Sequence, residues 1–268
     1  MFAVQHVRLA MPRLGIPQAL FFDWHGTLAD TFEAMYRAVE EMLPQLGALG
    51  LEARLQRPGG ARLPEHEALV AHVRAHRSLP PEVKQARRIS RTEIFEILFG
   101  ADADAKHAAH DAFDRCYARH VGAVHPFESG VRAMLGRLRA AGLRTGLLTN
   151  RRRALFSGEL RRVDGSGWED LFDVLVCGDD VPRRKPAPDM VLRGLEVLGL
   201  RAGPAVWFIG DSTTDVIAAR QAGVRAIFYN GAKWDPLQLV RIFPPEHPPD
   251  AITGDFSALE MLALPPRR

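Results

Sequence analysis

Lysine is scarce in this chain. Of 35 lysines and arginines only four are lysines, at Lys84, Lys106, Lys185 and Lys233. Amine chemistry therefore has few possible seats, and each is worth placing. Cysteine is scarcer. Cys116 and Cys177 stand far apart and in no metal-ligand spacing, which fits a reducing, cytoplasmic setting. No apolar window approaches the length of a membrane span. The opening residues, MFAVQHVRLAMPRLGIPQ, hold no apolar stretch long enough for a signal peptide. A membrane partner is thus not expected. Nor is nucleic acid: the pI is about 9.1, but the formal charge is only +3. Internal repeats are absent, and the one biased tract is the proline-rich PPEHPPD. Residues 1–17 read as an N-terminal arm, with Met1 and Met11 both open as the start.

What is present is ordinary globular material, 47% hydrophobic and 25% charged over 268 residues. Short apolar runs predict buried parallel strands at ALFFD (19–23), RTGLLT (144–149), DVLVC (173–177), AVWFI (205–209) and RAIFY (225–229). Helical spacing occupies VRAMLGRLRAAG (131–142), PDMVLRGLEVLG (188–199) and STTDVIAARQAG (212–223), each stopped by a glycine. Alternation of strand and helix predicts an α/β domain with a Rossmann-like, doubly wound parallel sheet. EHPPDAIT would add an edge strand.

Residues 32–125 differ. FEAMYRAVEEMLPQL, EHEALVAHVRAHRSL, RTEIFEILFG and AKHAAHDAFDRCYARHV are amphipathic helical segments without a strand between them. PGG (58–60) and SLPPE (78–82) punctuate them. The expected organisation is a core of 18–31 and 126–268, interrupted by an all-helical cap of 32–125. The hinges fall near 30–32 and 125–126.

Sites in parallel α/β sheets form where strands end, so the residues after each strand matter most. The first strand runs into Asp23-Trp24-His25-Gly26-Thr27. The second ends in Thr149 and Asn150. GDDVPRRKPAPD follows the third and carries Lys185. Gly210-Asp211-Ser212-Thr213-Thr214-Asp215 follows the fourth. Three carboxylates, an amine and a hydroxyl are thereby expected at one edge. Helix capping or turn formation would explain any one of these pieces, but not four in chain order.

These four pieces resemble the motifs of the haloacid dehalogenase-like superfamily of phosphohydrolases: a strand-end Asp two residues before a second Asp and Gly-Thr, a strand-end Ser or Thr, a Lys before Pro, and GDxxxD. The resemblance covers 18–31 and 126–268, and the helical insert sits where one subgroup carries its cap. It implies Asp23 as nucleophile, forming an aspartyl-phosphate that water then cleaves. It implies Mg²⁺ on Asp23, on the main-chain oxygen of His25 and on Asp211, with Asp215 holding a metal-bound water or bracing Lys185. Lys185 and the Thr149 hydroxyl would hold the phosphoryl oxygens, helped by backbone N–H groups at 24–26 and at Asn150. The implied substrate is a small phosphomonoester, phosphoglycolate-like or a sugar phosphate. No feature speaks to oligomeric state.

His25 is the departure, standing where the family's phosphatases carry an Asp as general acid and base. Counting Asp23, Asp211 and Asp215 against Mg²⁺ and Lys185 gives a neutral site that a phosphate dianion would make negative. A unit charge at about 6 Å and an effective dielectric of about 20 is worth roughly 3 kcal/mol, or roughly 2 pKa units. On that count substrate binding favours the imidazolium, and His25 serves as acid and base. Two alternatives remain open. One is a carbon–phosphorus bond hydrolase of the phosphonoacetaldehyde hydrolase type, which uses a cap lysine, here Lys84 or Lys106. The other is a slow or non-catalytic binding protein. The 2-haloacid dehalogenases lack the GDxxxD that Asp211 and Asp215 supply. Arg151, Arg152 and Arg153, like Arg183 and Arg184, read first as solvated clusters. The pairs His72/His76 and His107/His110 read as helix-surface residues.

Overall fold

The computed structural model describes residues 14–61, 63–121 and 124–264. Met1, Met11 and most of the expected N-terminal arm lie outside them. Leu14, inside them, is buried against the core.

The strands are β1 (Ala19–Phe22), β2 (Ala29–Asp30), β3 (His125–Pro126), β4 (Arg144–Thr149), β5 (Val174–Cys177), β6 (Val206–Gly210), β7 (Arg225–Tyr229) and β8 (Ala251–Thr253). Six form one parallel sheet in the order β5-β4-β1-β6-β7-β8. The chain thus winds outward from β1 in both directions. Neighbouring connections diverge there, leaving a crevice at the carboxyl end of β1.

Alternate residues of β1 feed opposite faces of the sheet. Leu20 and Phe22 join a cluster with Met134, Leu138, Phe156 and Leu259. Ala19 and Phe21 join one with Met190, Leu195, Val216 and Leu239. Helices α6 (Val131–Ala140), α7 (Arg153–Arg162) and α11 (Phe256–Ala263) therefore cover one face. Helices α8 (Asp189–Leu198), α9 (Thr213–Gln221) and α10 (Pro236–Ile242) cover the other. Each fully buried Leu, Val or Phe on these faces stabilises the sheet by about 1.5–3 kcal/mol. No helix among the described residues is long and apolar enough to cross a membrane.

The helices α1 (Phe32–Met42), α2 (Pro64–His76), α3 (Pro81–Ala86), α4 (Arg91–Phe99) and α5 (Ala103–Tyr117) surround a separate cluster built on Met35, Val39, Val73, Phe95 and Phe113. The chain leaves for this unit and returns through an antiparallel ribbon, with Ala29 opposite Pro126 and Asp30 opposite His125. The expected break at 78–82 is only half a break. Pro81 opens α3, because a proline at the first helical position sacrifices an N–H that has no partner there anyway. Pro44 ends α1 early, leaving a 3₁₀ turn at Leu43–Gln45.

Candidate active site

The first strand ends on a carboxylate because an acidic centre is built around it. Asp23 is pinned by its own N–H, which donates to Ile209 O at 2.9 Å. A tight turn follows, closed by Gly26 N–H to Ala29 O at 2.9 Å and Ala29 N–H to Trp24 O at 2.8 Å. Gly26 has φ +77°, and a Cβ there would lie 2.2 Å from Asp211 Oδ2. Only glycine lets the turn and that carboxylate come so close. Trp24 anchors the turn from beneath. Its Nε1 donates to Glu159 at 2.8 Å, and its ring meets Phe156 and Trp168 edge-on.

Oxygens of Asp23, Asp211 and Asp215 lie within 4.8 Å of one another. Lys185 donates two protons among them and a third to the backbone: Nζ bonds Asp23 Oδ1 at 2.6 Å, Asp215 Oδ1 at 2.7 Å and Leu148 O at 3.0 Å. Asp215 Oδ2 accepts from Ser212 N–H and Oγ, so this carboxylate is braced on both sides. Asp211 takes one bond, from Thr27 Oγ1 at 3.1 Å. Burial pushes the Asp23 carboxyl up to about 6, against the pull of Lys185 and with the push of Asp215. Asp211 is raised well above the carboxylate range by burial, then by the charges of Asp23, Asp215 and Glu93. Burial alone would lower Lys185, but the carboxylates of Asp215 and Asp23 outweigh it and hold the ammonium up. Three hard oxygen donors with too little positive charge among them are a fit for a divalent cation.

Thr149 is buried at the end of β4, and its Oγ1 accepts from Arg151 N–H at 3.3 Å. Asn150 does more than lend its backbone. Its Oδ1 accepts from Lys185 N–H at 2.9 Å, and its Nδ2 donates to Lys185 O at 3.0 Å. His25 is buried with Nδ1 2.5 Å from Thr31 Oγ1, while Nε2 has no partner.

The charge count around His25 needs correcting. It omitted two arginines that sequence alone placed elsewhere or not at all. Arg151 was read as part of a solvated cluster, yet it is 5% exposed. Its Nη2 donates to Thr31 Oγ1 at 2.6 Å, its Nε sits 3.1 Å from Glu159, and it lies over Tyr117. Arg91, from the first turn of α4, enters the site above Phe113. Burial and then the charges of Arg151, Arg91 and Lys185 hold the imidazole neutral, well below its usual value. Arg152, Arg153, Arg183 and Arg184 also pair, with Asp111 and Asp114, Asp180, Asp189 and Asp114 respectively.

A cavity of about 40 Å³ remains among Asp23, His25, Arg91, Phe113, Thr149 and Lys185, room for roughly three waters. Ser90 and Thr92 of the helical unit also line it. The sequence signal for their helix was the amphipathic RTEIFEILFG, and in the structure a capping box between Ser90 and Glu93 closes its start. It marks where α4 begins, not what it faces. The cap lysines stay outside: Lys84 pairs with Glu40 and Lys106 with Glu96. His72 and His76 of α2 meet each other with ring centroids 4.6 Å apart, and among the described residues the three aspartates are the only metal-capable cluster.

The haloacid dehalogenase-like hydrolase family matches residues 17–223. The chain belongs to that family. It is 30% identical to the phosphoglycolate phosphatase of Psychrobacter arcticus, over 77% of this chain and 80% of that protein. Identity to the phosphoglycolate phosphatase of Xanthomonas campestris is 29%, over 79% and 82%. The plasmid CbbY protein of Cupriavidus necator gives 31% over 78% and 77%. The fold recurs in CbbY of Rhodobacter sphaeroides in complex with phosphate, with a TM-score of 0.54, 24% identity, and coverage of 91% and 96%. It recurs too in a Pseudomonas syringae hydrolase, with TM-score 0.59, 17% identity, and coverage of 88% and 93%. Family and fold together make this chain a haloacid dehalogenase-like hydrolase carrying an inserted helical cap.

Proposed function

We propose that the protein hydrolyses a small phosphomonoester through an aspartyl-phosphate on Asp23, with Mg²⁺ as cofactor. The observation that carries this reading is Lys185, shared between Asp23 and Asp215 beside Asp211 in one buried cluster. Asp23, the main-chain oxygen of His25 and Asp211 would hold the ion. Bound there, Mg²⁺ supplies the positive charge that lets a carboxylate approach a phosphate dianion. Asp215, occupied at both oxygens, braces Lys185.

An Asp23 oxygen attacks phosphorus, the P–O bond to the organic group breaks, and that oxygen departs with the electron pair. Thr149 Oγ1, Lys185 Nζ and the backbone N–H groups of Trp24 and His25 take up the phosphoryl charge; the third N–H of the turn expected to help, that of Gly26, is spent on Ala29 O. Water then attacks the phosphorus of the aspartyl-phosphate and returns the carboxylate. One proton is needed by the leaving oxygen and one is lost by the water. His25 is assigned both transfers, with one ring nitrogen fixed by Thr31 and the other unpartnered. Starting neutral, it is suited first to the water step, and arrival of the dianion opposes the two arginines that keep it uncharged. His25→Ala should lower kcat by roughly 10²–10³-fold and flatten the acid limb of the pH–rate profile. Unchanged turnover would remove the role.

The names of the phosphoglycolate phosphatase relatives support phosphoglycolate as substrate, with a sugar phosphate as the alternative. A second cavity, about 570 Å³, lies along the seam between core and cap, lined by Ile89, Glu93, Thr213, Thr214 and Trp234. Thr214 lines both cavities, so the organic group has room beyond the phosphoryl pocket. We place the core at 18–31 and 126–268 and the cap at 32–125, since the β2–β3 ribbon joins their ends. The two unpaired, buried cysteines support a cytoplasmic setting.

A phosphate-release screen over many metabolites, with and without EDTA, tests the reading. Release with Mg²⁺ and none with EDTA is expected. Release that ignores EDTA overturns the metal, and no release from any ester overturns the phosphatase.

A further inference from the structure

The cap reaches the backbone of Lys185 through the side-chain amide of Asn150. Asn150 sits in the core, directly after β4, yet its side chain faces both ways. Toward the core it clasps the Lys185 backbone, accepting from N–H and donating to O. Toward the cap, Nδ2 donates to Thr92 Oγ1 at 3.0 Å. The amide is then full, with both N–H groups and its oxygen engaged. Arg91, next to Thr92, donates from Nη2 to Asn150 O at 2.9 Å and from Nη1 to Asp114 at 2.7 Å. All of these residues are buried.

A second thread runs parallel. Asp114, on cap helix α5, lies 2.9 Å from Arg152 Nε and 3.6 Å from Arg184 Nη2. Those arginines belong to the two core segments that carry Asn150 and Lys185. The cap therefore grips the lysine loop at Asn150 and again at Arg184.

We infer that Thr92, with Arg91, is a positioning residue: docking of the cap on Asn150 sets the Lys185 backbone, and through it the ammonium between Asp23 and Asp215. With the cap lifted, Asn150 loses Thr92 and Arg91 together, and its clasp on the Lys185 backbone stands without support from the cap. Catalytic geometry is then completed only when the cap is down, where water is also excluded. The inference rests on the reading of Lys185 as the cation that serves the phosphoryl group.

Thr92→Val tests it, because valine keeps the shape and removes the acceptor. With p-nitrophenyl phosphate and Mg²⁺, kcat should fall about tenfold while KM stays within about twofold. Thr92→Ser should restore most of the loss. Hydrogen exchange at the Lys185 amide, which donates to Asn150, should quicken in the valine variant and recover in the serine variant. If the valine variant does not fold, Arg91→Lys, which keeps the charge and loses the fork geometry, carries the same measurements. A rise in KM at constant kcat would make Thr92 a mere substrate contact and overturn the inference. So would wild-type kcat together with an unchanged Lys185 amide. A wild type inactive on every ester tried would take down the phosphatase reading and this inference with it.

Discussion

An Asp23→Asn protein is expected to fold normally and to release phosphate roughly 10⁴-fold more slowly than the wild type. The amide has the shape of the carboxylate, and its oxygen can still accept from Lys185 Nζ, now 2.6 Å from Asp23 Oδ1. The backbone bond to Ile209 is untouched. What vanishes is the anionic nucleophile, so no acyl-phosphate can form. Two further readouts separate this from damage. Acid quenching during turnover of a ³²P-labelled ester should trap label on the wild type and none on the variant. The metal-free variant should also melt no lower than the wild type, because one of three crowded carboxylate charges is gone. Turnover within about tenfold of wild type would exclude Asp23 as the attacking group, whatever else the cluster does.

The parts of this protein that were legible in its sequence are those fixed by neighbours along the chain. RTGLLT and RAIFY are continuous apolar runs, and β4 and β7 occupy them residue for residue. Asp23, Thr149, Lys185 and Asp211 could be gathered on paper because parallel strands all deliver their ends to one edge. Arg151 shows where that logic stops. Three arginines in a row look solvated, and the partners that make burial of the first tolerable are Glu159 on α7 and Thr31 at the start of α1. Neither is visible at short range. Arg91 and Thr92 are a harder case. Their helix was expected, but a helical period cannot say that its first turn reaches another unit's active site. The charge count at His25 failed for that reason: it summed groups known from motifs and missed two delivered by tertiary packing. Helix α7, with RALFSGELRR, has too weak an apolar stripe to announce itself and is held by Phe156 and Leu160 against the core.

The same crowding of charge sets a pH dependence that magnesium should reverse. In the metal-free protein Asp23 keeps its proton to about pH 6, whereas an unfolded aspartate loses it near 3.8, and Asp211 is raised further. Between those values the folded state binds more protons than the unfolded state, so stability falls as pH rises. The Asp23 shift alone corresponds to roughly 3 kcal/mol. His25 and His110 act in the opposite sense. Both are held neutral by burial and nearby arginines, so their contribution is present above about pH 6.5 and is lost on acidification. A divalent ion favours the ionised carboxylates and competes with their protons. At pH 8 and about 100 times its Kd, Mg²⁺ should add roughly 2.7 kcal/mol, or roughly 5–10 °C in Tm for a chain of this size. At pH 5 the same addition should raise Tm by less than about 2 °C, since protons then occupy the site. Asp211→Asn should abolish the magnesium shift and, without metal, raise Tm at pH 8, having lost a carboxylate charge that burial and its acidic neighbours disfavour. A magnesium shift equal at both pH values, or absent at pH 8, would separate the aspartate cluster from metal binding and leave its raised pKa values without a purpose.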